Sequence, residues 1–308
     1  MLHDDLTSSI GLYFYIMKRL QIGIISMLAS CMGFTVMSYA VKELSQVLTS
    51  ADMLLLRSTF TTLFIIISIW CVKGLQPRTG NKKLLLVSRG IAGAIGVLLI
   101  FYCISISNLV ITATFLQTTP LFIALLSYLW LKQKLTMYKV FAIALGFVGI
   151  ICITQQVSFD LEVFLVGLAI GLSAAYAYTC VHKLSAYYET RIIILSFSIA
   201  GLVLGIILGL HNYLDMPTHS ILNTSTLNTL TMWNWLLIFT IGISATLSQT
   251  FLTHAYSVAP AYIISTIGYA TIPMTFVCDV WIYQQSFNWV NLLGICLVVI
   301  SSIVVARR

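Results

Sequence analysis

Three ionisable side chains lie inside or near the ends of long apolar stretches: Arg57, His254 and Asp279. A charge at membrane depth is costly unless it is paired or hydrated, so each is a candidate for coupling to an ion or proton. A carboxylate and an imidazole both exchange protons, whereas arginine keeps its charge. Each residue also has a structural alternative: a solvated helix end for Asp279, a side chain that extends to the membrane interface for Arg57, and hydrogen-bonded packing for His254.

Two prolines interrupt apolar stretches that are rich in small and polar residues. FLQTTPLFIALL, from residue 115, contains Pro120, and TIGYATIPMTFVC, from residue 266, contains Pro273. A proline inside a helix frees the carbonyl four residues earlier, here Leu116 and Tyr269. In lipid such carbonyls need other partners. We expect threonine hydroxyls to supply them, from the set Thr114, Thr118, Thr119, Thr266 and Thr271.

Uncharged polar and aromatic side chains near these breaks complete the candidate set. A tyrosine presents a ring to an organic substrate and a hydroxyl to its polar part. The alternative for each residue, prolines included, is simple packing or a structural kink. The predicted substrate-cavity residues are Tyr102, Gln117, Pro120, Tyr176, Gln249, His254, Tyr269 and Pro273.

The elements that carry these residues have the composition of a membrane protein. Of the 308 residues, 59% are hydrophobic and 8% are charged, and the mean hydropathy is +1.00. A helix needs roughly 20 apolar residues to cross a bilayer. The sequence predicts about ten spans on that criterion, near residues 20–40, 53–72, 88–106, 109–131, 137–155, 163–182, 191–210, 233–254, 260–283 and 287–306.

The formal charge of +7 is explained by basic residues that lie on one side of the predicted membrane spans, so we expect no nucleic-acid partner. With the N-terminus inside, the basic residues concentrate in inside connections, and Arg89 is assigned to one of them. Lys42 is assigned to an outside loop and Arg57 to a span. This bias follows the positive-inside rule and predicts that both termini are cytoplasmic. Residues 1–19 are predicted to be a cytoplasmic tail, in which either Met1 or Met17 is the start.

Several chemistries lack their sequence signatures. The seven cysteines show no spacing suited to a metal, and there is no GxxxxGK[ST] loop for ATP. We therefore expect no metal and no cofactor. A membrane enzyme acting on a lipid-linked substrate is the competing class, and it needs clustered carboxylates or a nucleophile with a base. The only adjacent acidic pair is Asp4-Asp5, in the tail.

The two proline spans belong to a larger internal repeat. FYCISISNLVITATFLQTTPLFIALL, from 101, is similar to THAYSVAPAYIISTIGYATIPMTFVC, from 253, and MLASCMGFTV near 27 is loosely similar to GLSAAYAYTC near 171. Five spans per repeat force the second copy to insert upside down. The basic residues agree, because the turn at 132–139 is rich in lysine and its counterpart at 283–289 has no basic residue. The predicted domains are residues 20–155 and 163–306.

The chain resembles the EamA-like families of the drug/metabolite transporter superfamily from about residue 20 to 306. TTPLFIALLSYLWLKQKLTMYKVFAIALGFVGI, from 118, carries most of the resemblance, and Arg57 in ADMLLLRSTF lies where these families often have an arginine. Members commonly have a glutamate in the turn after each proline span. Gln133 and Gln285 stand there in this sequence, so no role of that acid is transferred.

The resemblance implies an all-α integral membrane protein whose ten transmembrane helices form two inverted five-helix repeats. It further implies a secondary transporter in a bacterial cytoplasmic (inner) membrane. The cargo would be a small organic metabolite such as an amino acid or S-adenosylmethionine, moved by alternating access by a monomer or homodimer. An uncoupled facilitator is a second alternative, and the direction of transport stays open.

Overall fold

The computed structural model describes residues 2–71, 80–123, 125, 137–154, 161–215, 230–259, 264 and 267–306, and the secondary structure in these ranges is helical. The lysine-rich turn at 132–136 and the connections at 72–79 and 216–229 lie outside them. The helices are α1 Leu2–Leu44, α2 Ser50–Cys71, α3 Lys83–Ile106, α4 Leu109–Leu116, α5 Met137–Thr154, α6 Leu161–Leu184, α7 Thr190–Asp215, α8 Met232–Val258, α9 Thr271–Trp281 and α10 Trp289–Ala306.

In the described part of the chain, six helices are long and apolar enough to cross a membrane. They are α1 from Lys18, α2, α3, α6, α7 and α8, and they match the predicted spans to within a few residues. α4 and α9 are shorter because the predicted spans at 109–131 and 260–283 are both interrupted before their prolines. α1 begins at Leu2, so the backbone of the predicted tail continues the first helix.

Polar residues at the helix starts explain where the helices begin. Before α2, the Thr49 hydroxyl accepts a hydrogen bond from the Asp52 backbone N–H, and the Asp52 carboxylate accepts one from the Thr49 backbone N–H, each at 3.3 Å. This reciprocal arrangement satisfies two amides that a helix start otherwise leaves unpaired. Asn108 caps α4 in a simpler way, by accepting from the Ile111 N–H at 2.9 Å.

The outer surface of the bundle is apolar. Large side chains such as Trp70, Met232 and Trp289 are more than four-fifths exposed, and isoleucines and leucines cover the faces between them. A soluble protein rarely exposes so much contiguous apolar area. Lipid tails are an apolar solvent for such a surface, so the exposure agrees with a multi-pass membrane protein.

Helices of the first half of the chain pack mainly against helices of the second half. α1 packs on α8, α3 on α6 and α7, α2 on α7 and α8, α4 on α9 and α6, and α5 on α10. Small residues permit these close contacts. A Cβ atom at Gly205 would lie 2.9 Å from the Cα of Leu55, and one at Gly167 would lie 2.3 Å from the Phe115 ring.

One turn occurs twice with the same backbone hydrogen bonds. Between α1 and α2, the Ser45 N–H donates to Val41, and the Val47 and Leu48 N–H groups donate to Leu44, each at 2.9 Å. Between α6 and α7, the corresponding bonds run from Ser185 to Val181 and from Tyr187 and Tyr188 to Leu184, again at 2.9 Å. The segments 41–50 and 181–190 therefore form equivalent turns, a similarity that the sequence comparison did not include.

Candidate functional site

Two broken helices form the centre of the candidate site. α4 ends at Leu116, residues 117–118 form a turn, and the helix resumes at 119–123. In the second half, residues 267–268 are helical, 269–270 form a turn, and α9 begins at Thr271. Each break lies just before its proline, which cannot continue the hydrogen-bond ladder.

Threonine hydroxyls meet the carbonyls at both breaks. Thr119 Oγ1 donates to the Leu116 carbonyl at 2.5 Å, and Thr271 Oγ1 donates to the Gly268 carbonyl at 2.9 Å. The Tyr269 carbonyl accepts from the Ile272 N–H at 3.0 Å. The expectation that a threonine meets the freed carbonyl is therefore confirmed at Thr119. At the second break a backbone N–H meets the freed Tyr269 carbonyl and Thr271 bonds the neighbouring Gly268 carbonyl instead, and Thr266 lies outside the described residues.

The two breaks also contact each other. The side-chain amide of Gln117 donates from Nε2 to the Gly268 carbonyl at 2.6 Å, and Gln117 is buried. Val110 of α4 packs beside Tyr269 and Ile272 in one buried cluster. A side chain of the first half thus forms a hydrogen bond with the backbone beside the break in the second half.

Asp279 is buried, and its carboxylate caps the start of α4. Its Oδ1 accepts from the Leu109 N–H at 3.2 Å and its Oδ2 accepts from the Val110 N–H at 2.7 Å. These N–H groups have no partner within a helix, and the positive end of the helix dipole favours a carboxylate there. The alternative of a solvated helix end does not describe this residue.

Lys42 completes the same region. Its Nζ donates to the carbonyls of Ile104 at 2.9 Å and Ser107 at 2.5 Å, and its charge interacts favourably with that of Asp279. The sequence analysis assigned Lys42 to an outside loop, but it lies in the last turn of α1 because the helix continues to Leu44. We call Lys42 and Asp279 the matched charge pair.

A second charged region lies among α2, α3 and α7. Arg57 is completely buried, and Arg89 is 1% exposed. The guanidinium carbon of each lies 4.9 Å from the centre of the Phe197 ring. Tyr178 lies near both guanidinium groups, and the two like charges repel each other. We call Arg57 and Arg89 the arginine pair.

The arginine pair has few compensating contacts in the described part of the chain. All three guanidinium nitrogens of Arg57, and Nε and Nη1 of Arg89, have no hydrogen-bond partner there. A buried unpaired charge costs several kcal/mol, of which a desolvated cation–π contact returns about 2 kcal/mol. The acidic side chains that the structure describes are engaged elsewhere: Glu43 with Tyr283, Asp52 with Thr49, Glu162 with Tyr102, Glu189 with Arg191, and Asp279 with α4.

One assignment and one alternative from the sequence need correction at this point. Arg89 was assigned to an inside connection, but α3 begins at Lys83, so Arg89 lies within the helix and is buried. Arg57 does not extend to the interface, since its whole side chain is enclosed. Phe197 and Tyr178 were not identified, because an aromatic residue in an apolar helix carries no distinguishing signal.

The remaining predicted residues do not gather in one place. Gln249 and Tyr269 are buried, as is Pro120, and Tyr176 is half-buried with its hydroxyl 2.8 Å from that of Ser88. Three others are exposed on the surface of the bundle: His254, Pro273 and Tyr102. The Tyr102 hydroxyl donates a hydrogen bond to Glu162. Pro273 therefore shapes its helix without facing the buried contact between the breaks.

A groove of about 400 Å³ runs along the outer surface of α1 and α8. Its lining is mostly apolar and includes Val36, Phe239 and Phe251. None of the predicted cavity residues lines it. The groove faces the side of the bundle where lipid is expected, so it is not the candidate site.

Comparisons with known proteins agree with the sequence resemblance. Residues 21–155 match the model of the EamA-like transporter family. An uncharacterized transporter of Helicobacter pylori is 29% identical over 291 residues, which cover 92% of this chain and 94% of that protein. The pseudopaline exporter of Pseudomonas aeruginosa is 25% identical over 294 residues, 95% of this chain and 98% of that protein.

A solved crystal structure supports the fold of the chain and nothing beyond the fold. It aligns with a TM-score of 0.64 at 12% identity, covering 92% of this chain and 95% of that chain. Identity this low carries information about architecture only. The predicted resemblance to EamA-like transporters is confirmed by the family match and by the relatives named as transporters.

Proposed function

Because this chain is an EamA-family transporter, matched over residues 21–155, we propose that it moves a small organic metabolite by alternating access. In this mechanism the two halves of the chain rock around a central site near α4 and α9, which opens to one side of the membrane at a time. Amino acids, S-adenosylmethionine and similar metabolites are the proposed cargo class.

The contact between the two broken helices is the observation that carries this proposal. Irregular backbone at membrane depth is tolerated where protein buries it or where it lines a cavity, and transporters use such breaks at their binding sites. Here the Gln117 amide bonds the Gly268 carbonyl across the two halves at 2.6 Å. A displacement of one break would therefore change a hydrogen bond of the other.

Helix packing supports an inverted repeat of two five-helix units, residues 20–155 and 163–306. Exchanging each helix with the one five places along the chain turns the α1–α8 contact into the α6–α3 contact, and both pairs are packed. The α2–α7, α4–α9 and α5–α10 contacts map onto themselves. The equivalent turns at 41–50 and 181–190 agree with this exchange. An approximate two-fold axis between the halves is expected for such a repeat.

We further propose that the protein lies in a bacterial cytoplasmic (inner) membrane with both termini inside, as a monomer or homodimer. The asymmetry of basic residues supports this orientation. Export of a metabolite is favoured over import by one relative, which is named as the pseudopaline exporter. Of the three proposed coupling residues, Asp279 already caps α4 and His254 is exposed, so Arg57 is the strongest remaining candidate.

Ligand-dependent stabilisation followed by flux tests the proposed function. The purified protein is heated with single members of a panel of amino acids, S-adenosylmethionine, nucleotides and sugar phosphates, because a ligand at about 100 times its Kd adds roughly 2.7 kcal/mol to the folded state. We expect a stabilising compound to exchange across liposomes that contain the protein and not across protein-free liposomes. Binding without any exchange, or chemical conversion of the bound compound, would contradict transport.

A further inference from the structure

We propose that the arginine pair binds an anionic group of the transported molecule, either a carboxylate or a phosphate. This inference rests on the proposed transport function for its biological meaning, but the binding itself is tested independently. It names a cargo with at least one fixed negative charge. The sequence analysis did not identify this pair, because it assigned Arg89 to a connection.

In the described part of the chain, the two guanidinium groups lack most of the hydrogen-bond partners that buried charges need. Five nitrogens on Arg57 and Arg89 are buried and lack a hydrogen-bond partner in the described residues. Arginine keeps its charge at neutral pH, so the pair carries two positive charges that must be compensated. The described acidic side chains all have other partners, so none of them compensates these two charges. An oxyanion supplies several acceptors at once and matches the planar fork of guanidinium.

The two arginines lie at similar distances from the starts of their helices. Arg57 is the eighth residue of α2 and Arg89 the seventh of α3, so each lies about 10 Å along its helix. Consecutive membrane helices run in opposite directions, so the two side chains approach Phe197 from opposite sides of the membrane. They meet the same ring, so their guanidinium carbons are separated by at most twice the 4.9 Å distance. Such a position suits a ligand that is reached from either side.

The region around Phe197 joins the two halves of the chain. Arg57 and Arg89 belong to the first half, whereas Phe197 of α7 and Tyr178 of α6 belong to the second. Tyr178 stacks on Tyr256 of α8 with ring centres 5.2 Å apart, which extends the aromatic wall. An anion held by the arginines would place the organic body of its molecule against these rings. Rocking of one half against the other would then open or close the site.

Probe molecules with one carbon skeleton and different charge test the proposal. The probes are glutarate, its monoamide glutaramate and the neutral diamide glutaramide, together with glycerol 3-phosphate and glycerol. Each is titrated against the purified full-length protein while thermal unfolding is followed. We expect at least one anion to stabilise the wild-type protein and its neutral counterpart to have no effect. A preference for glutarate or for glycerol 3-phosphate distinguishes a carboxylate site from a phosphate site.

Substitutions locate the binding to the arginine pair. Arg57→Gln and Arg89→Gln should each weaken the anion by at least about tenfold, because each removes charge-assisted hydrogen bonds. Arg191→Gln is the matched control, since Arg191 is paired with Glu189 at the start of α7. It should bind the anion as the wild type does. Arg57→Lys and Arg89→Lys keep the charge and provide a second pair of variants should a glutamine variant fail to fold.

The possible results separate this inference from the transport proposal. Loss of anion binding in the arginine variants with retention in Arg191→Gln supports the site, even if the liposomes show no flux. Anion binding that survives in both glutamine variants would overturn the inference. The same conclusion would follow if the wild type responded to neither anion, or if it transported a neutral metabolite at equal rates with and without the arginines.

Discussion

Asp279 and the arginine pair are buried and Lys42 is half-buried, yet the protein compensates the charges of the two pairs in opposite ways. Asp279 and Lys42 bond four backbone groups around the start of α4 and attract each other. Arg57 and Arg89 repel each other and share one aromatic ring, with most of their nitrogens unpaired. Charges that hold a fold together are satisfied within the fold. Charges that are left unsatisfied at a large energetic cost point to a partner that arrives from outside.

Removing the matched carboxylate should have the largest effect on stability. Asp279→Ala leaves two buried N–H groups without acceptors and Lys42 without its counter-charge, so we expect a loss of about 3–5 kcal/mol. The apparent melting temperature of the purified protein measures this loss. Asp279→Asn is the control, because an asparagine oxygen still caps a helix start and should lose less. Equal losses for alanine and asparagine would show that the carboxylate does not act as a cap.

The arginine pair should respond with the opposite sign. Replacing a buried unpaired charge by an apolar residue of similar volume removes a desolvation cost, so Arg57→Met and Arg89→Met should leave stability unchanged or raise it by about 1–4 kcal/mol. Unfolding in the absence of ligand measures the change. Arg191→Met, which breaks an existing ion pair, should not stabilise the protein. A marked fall in melting temperature for both site variants would contradict the distinction between matched and unmatched charges.

A neutral contact across the halves should have a smaller effect on stability and a larger one on transport. Gln117→Leu removes the 2.6 Å bond to Gly268, whose carbonyl keeps Thr271 as a partner, so the expected loss is about 1 kcal/mol. Flux through liposomes should fall further than stability does. Among the described residues, Gln249 donates a 3.4 Å hydrogen bond to Thr253, so Gln249→Leu serves as the control for stability. Unchanged flux in Gln117→Leu would reduce the contact between the breaks to packing.

The smallest effect is expected for the hydroxyl at the first break. Thr119→Val leaves the Leu116 carbonyl without its side-chain donor and should cost about 0.5–1.5 kcal/mol. Thr114→Val is the comparison, because Thr114 bonds the Val110 carbonyl within the regular part of α4. Melting temperatures measure both changes. If the two substitutions cost the same, the carbonyl freed by the proline has no special need for a hydroxyl.

Much of the fold could be predicted because lipid simplifies the rules. Long apolar segments gave the helices α2, α3, α6, α7 and α8 to within a few residues. The prolines predicted the positions of both breaks, and the threonines predicted the partner of the freed carbonyl at the first break but not at the second, where a backbone N–H bonds Tyr269. These features follow from local sequence, since a backbone group without a partner in lipid is excluded wherever it occurs.

The candidate site was harder to predict because it depends on helix boundaries and on long-range packing. Arg89 is the second residue of the predicted span 88–106 and was counted with the adjoining connection, whereas α3 begins six residues before it, at Lys83. Asp279 was a candidate for proton coupling, and its role as a helix cap could not be predicted. The backbone groups that it bonds, at Leu109 and Val110, lie far away in the sequence. Which residues surround Phe197 is decided by helices from both halves.

The most direct test of the account modifies a thiol placed between the two arginines. Phe197→Cys, in a background without the seven native cysteines, is treated from each side of the membrane with small thiosulfonate reagents of opposite charge. Neighbouring cations favour the reactive thiolate and attract an anionic reagent. The account predicts that the negatively charged reagent reacts faster than the positively charged one, and that it does so from both sides. Reaction from one side only would contradict alternating access at this site, and equal rates for the two reagents would contradict an anion site at the arginine pair.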